Sequence, residues 1–229
     1  VRGLGTLVNV ITVVGGTVLG LVAGRRVPEK MRTTVLDAVG LVTIALGLHD
    51  ALQTHNFVFP IVALVLGAIV GELLGIEDRL VSVGERLKRR VRQEEGTSFV
   101  EGFVSASLVF CIGPLTILGS ISDGLGHGAQ ELIVKAAMDG LVAIVFASTL
   151  GVGVGFSALT ILVVQGSLTA GAGAADSVLN TRMVAEMTAT GGVMLMGIGV
   201  RLLDIRSVRV GSMLPALLFA PVLVSLFAR

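Results

Sequence analysis

The chain has no tryptophan, no tyrosine and a single cysteine in 229 residues, and only 14% of its positions are charged. Each shortage excludes something. Membrane proteins commonly seat Trp and Tyr at both bilayer interfaces. Here nine Phe and the snorkelling stems of Arg and Lys must anchor the chain instead. Aromatic cages built from Trp or Tyr are ruled out. No basic stripe interleaved with aromatics is present to hold nucleic acid. The lone Cys111 cannot form a disulfide within the chain, and in its apolar run it reads as a small buried hydrophobe. His49, His55 and His127 have no metal spacing and read as solvated loop residues. Neither a metal nor a cofactor is expected. Ser, His and Asp are not spaced for a nucleophilic triad, and no phosphate loop occurs. The sequence therefore does not read as an enzyme.

What the chain does have is apolar length. Mean hydropathy is +0.93 and 53% of residues are apolar. Residues 3–24 carry no charge, and residues 57–71 and 102–121 are nearly as clean. A bilayer core of about 30 Å needs roughly 20 apolar residues in helical form. A soluble domain would give its helices a polar face, and these segments have none. The fold class expected is all-α: one integral-membrane domain over 1–229, a polytopic transmembrane helical bundle of about eight spans. The spans fall near 4–24, 33–51, 57–76, 99–119, 136–151, 155–173, 185–203 and 210–227. Residues 136–173 could also form one long helix, but Gly151, Gly153 and Gly155 offer a reversal near the middle. No secretory signal pattern opens the chain. Val1 reads as an alternative start codon taken literally, which points to a bacterial gene.

Charge sorts by position. With the amino terminus outside, the cytoplasmic loops hold Arg25, Arg26, Lys30, Arg32, Arg79, Arg86, Lys88, Arg89, Arg90, Arg92, Arg201, Arg206 and Arg209. The outer side holds Arg2, Lys135, Arg182 and Arg229. The positive-inside rule favours this orientation, which leaves both termini extracytoplasmic in a bacterial inner membrane. Residues 77–97 place Leu80, Val83, Leu87 and Val91 at helical spacing among charges, as an amphipathic connector on the cytoplasmic surface would.

The chain also repeats itself. Val39 to Gly47 resembles Gly191 to Gly199, and each run leads through a polar loop to an apolar helix entered near a proline, Pro60 or Pro215. Gly40 matches Gly192, and Gly47 matches Gly199. Because these segments cross in opposite directions, 33–76 and 185–227 are candidate inverted-repeat units, an arrangement many secondary transporters use. Generic small-residue packing is the plainer explanation, and Gly16, Gly20 and Gly24 on the first span and Gly67, Gly71 and Gly75 on the third have that spacing.

Polar groups inside spans are costly enough to need a reason. Gly113 and Pro114 should break the fourth segment, because proline removes a backbone donor and crowds the preceding turn. Thr116, Ser120, Ser122 and Asp123 follow the break. Asp139 stands near the outer end of the fifth segment and is expected to face it. Asn9 and Gln165 sit among apolar residues, and Glu186 and Thr190 open the seventh segment. The candidate ion or solute pathway is thus Asn9, Gly113, Pro114, Asp123, Asp139, Gln165, Glu186 and Thr190, with no catalytic residue and no metal ligand. On this reading Asp139→Asn should abolish uptake or its pH dependence while insertion and folding stay intact.

Several ordered runs resemble one family: Gly113-Pro-Leu-Thr-Ile-Leu-Gly-Ser-Ile-Ser-Asp-Gly124, Met138 to Gly151, Arg209 to Leu217, the opening Gly5 to Asn9, and Gln165 to Thr169. The chain is similar over essentially its whole length to the bacterial membrane proteins catalogued as domain of unknown function 554, the YdfK/YqgA-like group. That resemblance implies a multi-pass inner-membrane protein of a kind often described as transporting, and it brings no substrate or catalytic residues with it. The function expected is a secondary transporter or carrier of an ion or small polar solute. The rival is a non-transporting membrane scaffold or a subunit of a larger membrane complex. The partners expected are membrane lipid and a small ion or solute, not nucleic acid, and a homo-oligomer stays open.

Overall fold

A computed structural model describes residues 2–24, 28–92 and 98–227, without the side chains of Glu29, Pro114 and Asp176. Arg25, Arg26, Arg229 and residues 93–97 of the expected connector lie outside the described residues. The described chain is helical, with no strand among those residues. In order it forms α1 (Leu4–Gly24), α2 (Glu29–Ala51), α3 (Val58–Leu73), α4 (Ile76–Arg90), α5 (Phe99–Cys111) and α6 (Pro114–Leu125). There follow α7 (Gln130–Leu150), α8 (Gly153–Ala170), α9 (Ala172–Val178), α10 (Thr181–Leu202), a 3-10 turn (Val210–Met213) and α11 (Ala216–Phe227).

Six stretches are long and apolar enough to cross a membrane: α1, α2, α7, α8, α10 and residues 210–227. Two bent pairs, α3 with α4 at 55° and α5 with α6 at 63°, bring the number to eight if each counts as one span. Many of the exposed side chains of these helices are themselves apolar. Ile11, Val18 and Val22 project from α1, Ile61, Val65 and Ile69 from α3, and Val163 from α8. A helix that turns valine and isoleucine outward is solvated by lipid, since water would penalise that surface. The all-α polytopic bundle expected from the sequence is what the chain forms.

Two expected breaks are present and one boundary moves, each for a physical reason. The fourth segment is interrupted where the proline predicts, because Gly113 has φ +141 and α6 starts at Pro114. The fifth begins at Gln130 instead of 136, so that Lys135, expected in an outer loop, is helical and buried. Gly151, at φ +81, ends α7 and separates it from α8, so 136–173 is two helices. The residues expected as an amphipathic connector form α4 as far as Arg90, with Glu77 and Asp78 in its first turn and Lys88, Arg89 and Arg90 in its last, as the helix dipole favours.

The described chain divides into two compact units. The first gathers residues 1–38, 81–111 and 115–177. Its core seam is α1 against α7. A Cβ built on Gly16 would strike the carbonyl oxygen of Gly140, on Gly20 that of Ile144, and on Gly24 that of Ser148. Both sets of numbers rise by four, so the two helices run parallel at a distance only glycine permits. Two parallel spans must be separated by an odd number of crossings, as the alternating eight-span scheme requires. Gly153 meets the Phe99 carbonyl in the same way and seats α8 on α5.

The second unit gathers residues 39–80, 112–114 and 178–229. Here the contacts are antiparallel. Gly47 packs on the Gly192 carbonyl oxygen (2.6 Å from an ideal Cβ) and Gly192 on that of Gly47 (2.5 Å). Gly40 and Gly199 meet in the same reciprocal way at 3.2 and 2.7 Å. On α3, Gly67 rests on the backbone of Ala216 and Gly71 on the carbonyl of Ser212, so α3 and α11 are antiparallel too. Gly75 does not extend that seam. It has φ +59 and caps the end of α3, its N–H donating to Glu72 O at 3.0 Å.

Candidate functional site

The break after α5 leaves carbonyl groups without a helical donor, and lipid offers none. The carbonyl of Phe110 is taken up by two side chains: Lys135 Nζ donates to it at 2.7 Å and Thr116 Oγ1 at 3.3 Å. Lys135 also forms a short ion pair with Asp139, one turn along α7. Asp139 Oδ2 accepts a further hydrogen bond from Asn9 Nδ2 at 2.9 Å. One buried knot thereby ties α1, α5 and α7 together. The charges cancel, so the carboxylate that looked most available from the sequence already has its cation. A buried pair of this kind is costly to break from either side. Asp139→Asn is therefore expected to destabilise the fold, because asparagine would strand the Lys135 ammonium. Sequence reading missed Lys135, although its four-residue spacing from Asp139 was a readable signal.

Around that knot the first unit contains polar atoms with no partner in the protein. They are Thr6 Oγ1, Asn9 Oδ1, Ser105 Oγ, Ser120 Oγ, Thr169 Oγ1 and both amide atoms of Gln165. Asn9, Ser120 and Gln165 are 0% exposed. Native interiors pair nearly all such groups, so several on neighbouring helices need an explanation. A cavity of about 570 Å3 is lined by two of these residues, Thr6 and Thr169, together with Arg2, Gly124, Leu162 and Gly166 among others. Asp123, buried at 2% exposure, precedes Gly124, and its Oδ2 accepts the N–H of Gly5 at 3.1 Å. No Lys, Arg or His among the described residues forms an ion pair with it. Among those residues, no three His, Cys, Asp or Glu side chains gather as metal ligands.

Glu186 and Thr190 belong to the second unit, and their polar groups are satisfied. Glu186 lies inside α10, fully buried, and accepts from Thr54 Oγ1 at 2.5 Å and from the His55 N–H at 2.9 Å. Thr190 Oγ1 donates back to the Glu186 carbonyl at 2.7 Å. A second carboxylate plays the matching part for the loop after α10: Glu77 accepts from the Gly211 N–H at 2.6 Å and from Arg201 Nη1 at 3.0 Å. Two connections of this unit, the one after α2 and the one after α10, are thus pinned through a backbone N–H by a buried glutamate. The candidate set accordingly divides, with Asn9, Asp123, Asp139 and Gln165 in the first unit and Gly113, Pro114, Glu186 and Thr190 in the second.

Comparison with known proteins agrees with this membrane architecture. No solved structure gives a significant match. The chain is 29% identical over 225 residues to "Uncharacterized membrane protein YdfK" of Bacillus subtilis (strain 168), covering 96% of this chain and 95% of that protein. It is also 29% identical over 221 residues to "Uncharacterized protein YqgA" of Escherichia coli (strain K12), covering 95% of this chain and 94% of that one. Residues 4–225 match the family described as "Protein of unknown function (DUF554)", and the glycine seams and the buried polar knot lie within that match. On that near-complete coverage, the chain belongs to the DUF554 family of membrane proteins.

Proposed function

We propose that this protein is a small secondary transporter or carrier that moves an ion or small polar solute across the bacterial inner membrane, and that it is not an enzyme. One observation carries the reading. Gln165 is wholly buried in an apolar span with neither its amide nitrogen nor its amide oxygen bonded. A residue kept only for packing gains nothing from that arrangement, since an unpaired buried amide costs about 1–3 kcal/mol. A pathway supplies the missing partner from its cargo or from water. The reciprocal glycine contacts support an inverted-repeat origin for 33–76 and 185–227. A two-fold relation pairing Gly40 with Gly192 and Gly47 with Gly199 carries the contact of Gly40 with Gly199 onto that of Gly192 with Gly47.

Gln165→Leu tests the proposal. The variant should unfold at a higher temperature than the parent, by the equivalent of about 1–3 kcal/mol. In proteoliposomes it should lose flux, read with radioactive sodium and with an internal pH dye. A stabilised variant with unchanged flux would remove Gln165 from any pathway, and a destabilised one would show that its amide is paired after all. The scaffold reading rests on the opposite observation, the fully paired knot of Lys135, Asp139 and Asn9, and it predicts no flux from the parent protein. For orientation, reporter domains fused at either end should be active only outside the cytoplasm, as the charge asymmetry requires. Cytoplasmic activity at the carboxyl terminus would reverse that assignment.

A further inference from the structure

We infer that Asp123 is the charged centre of a binding site for a monovalent hard cation, of which sodium is the representative tested, formed with oxygens of Thr6, Ser120, Gln165 and Thr169. The inference deepens the transport reading by naming the cargo or coupling ion. It shifts the ionic role from Asp139, whose charge Lys135 already balances.

Three features converge on this place. The first is charge: Asp123 is buried, has no cationic partner among the described residues, and its carboxylate accepts from a neutral backbone N–H, that of Gly5. A carboxylate in a membrane span needs compensation from protein, water or an ion. The second is the supply of oxygen. Ser120 lies one turn before Asp123 on the same face of α6, and its hydroxyl is unpaired at 0% exposure. Thr6 follows Gly5, the residue bonded to Asp123, and is likewise buried and unpaired. On α8, Gln165 and Thr169 share a face one turn apart, and both have unpaired oxygens. Gly124, next to Asp123, approaches α8 so closely that a Cβ there would overlap the Thr169 carbonyl. The third is access: the cavity of about 570 Å3 is lined by Thr6, Gly124 and Thr169.

The chemistry of the set fixes the class of ion. Hydroxyl, amide and carboxylate oxygens suit hard cations, whereas the softer transition metals call for His or Cys. One carboxylate supplies one negative charge, which suits a monovalent ion. Arg2 stands on the cavity lining without an ion pair to any described carboxylate.

The test uses the purified full chain in nanodiscs, titrated with sodium chloride against choline chloride at constant ionic strength. Sodium should give saturable heat by calorimetry and raise the unfolding temperature, because a ligand that binds only the native state stabilises it. Asp123→Asn keeps an oxygen for the Gly5 N–H and should abolish both effects. Ser120→Ala and Thr169→Val remove hydroxyls that have no partner. They should leave the sodium-free protein as stable as before, or more so, and weaken sodium binding at least tenfold. These two variants keep the test decisive if Asp123→Asn fails to fold. A parent that responds identically to sodium and choline would overturn the inference, as would full sodium response in Ser120→Ala and Thr169→Val. A response to protons but not to sodium overturns it as well. Sodium binding without sodium flux in proteoliposomes would leave the site standing and remove the transport reading. Flux of another solute with no sodium binding would do the reverse.

Discussion

Lys135→Met should destabilise the protein by about 3–5 kcal/mol, the usual consequence of stranding one half of a buried ion pair. The variant leaves Asp139 buried without its cation, and it takes the donor at 2.7 Å from the Phe110 carbonyl at the helix break. Asp139→Asn should cost a similar amount from the other side, since the Lys135 ammonium then has no counter-charge. The double variant Lys135→Met with Asp139→Leu should recover more than half of the loss, because two apolar side chains leave no stranded charge. Recovery stays incomplete, as Phe110 O and Asn9 Nδ2 still lose their partners. Cys111 provides the readout. It is the chain's single cysteine and follows Phe110 directly at the break. Its half-buried thiol should be alkylated faster by a membrane-permeant maleimide in either single variant, by up to about 100-fold, since every 1.4 kcal/mol of opening energy is worth a factor of ten. An unchanged alkylation rate in Lys135→Met would mean that the pair does not hold the break closed.

That knot also marks how far the sequence could be read. The helical membrane class was legible because lipid imposes a single requirement, apolar length, and the spans near 4–24 and 210–227 meet it without ambiguity. The break at Gly113 was legible for a local reason, since proline cannot continue the ladder. Lys135 was misplaced because a hydropathy scale prices each residue alone. A lysine beside an aspartate one turn away enters a span as a neutral pair, which no single-residue scale registers. Glu186 was placed at the mouth of a span but lies inside α10, for a comparable reason. Its carboxylate is satisfied by Thr54 and His55 from a distant loop. The unpaired atoms of Gln165 and Ser120 could not have been foreseen, because satisfaction is a property of neighbours and not of residue type.

Glycine spacing was the signal most easily discounted, since small residues recur by chance in a chain with 31 of them. The structure separates those that carry packing from those that do not, and a matched substitution series turns the difference into numbers. Gly71→Ala and Gly67→Ala should each cost about 3 kcal/mol or more, at or beyond the upper end for overpacking. The new methyl would meet the backbone of Ser212 or Ala216 instead of a side chain able to turn away. Gly15→Ala and Gly166→Ala face open space and should be neutral, or stabilising by about 0.5–1 kcal/mol through helix propensity. Thermal unfolding of the four variants in one detergent decides the matter, and equal effects across them would show that backbone contact does not set the spacing of α3 and α11. The reciprocal pair gives a sharper result. A Cβ built on Gly47 would lie 2.6 Å from the Gly192 carbonyl oxygen, and one built on Gly192 2.5 Å from that of Gly47, so one methyl already forces α2 and α10 apart at that level. A second methyl across the same gap meets helices that have already moved. Gly47→Ala and Gly192→Ala combined should therefore cost at least 1 kcal/mol less than the sum of the single variants, a coupling expected of residues that share one contact. Strict additivity would place the two glycines in separate environments and remove the reciprocal contact on which the two-fold relation between α2 and α10 rests.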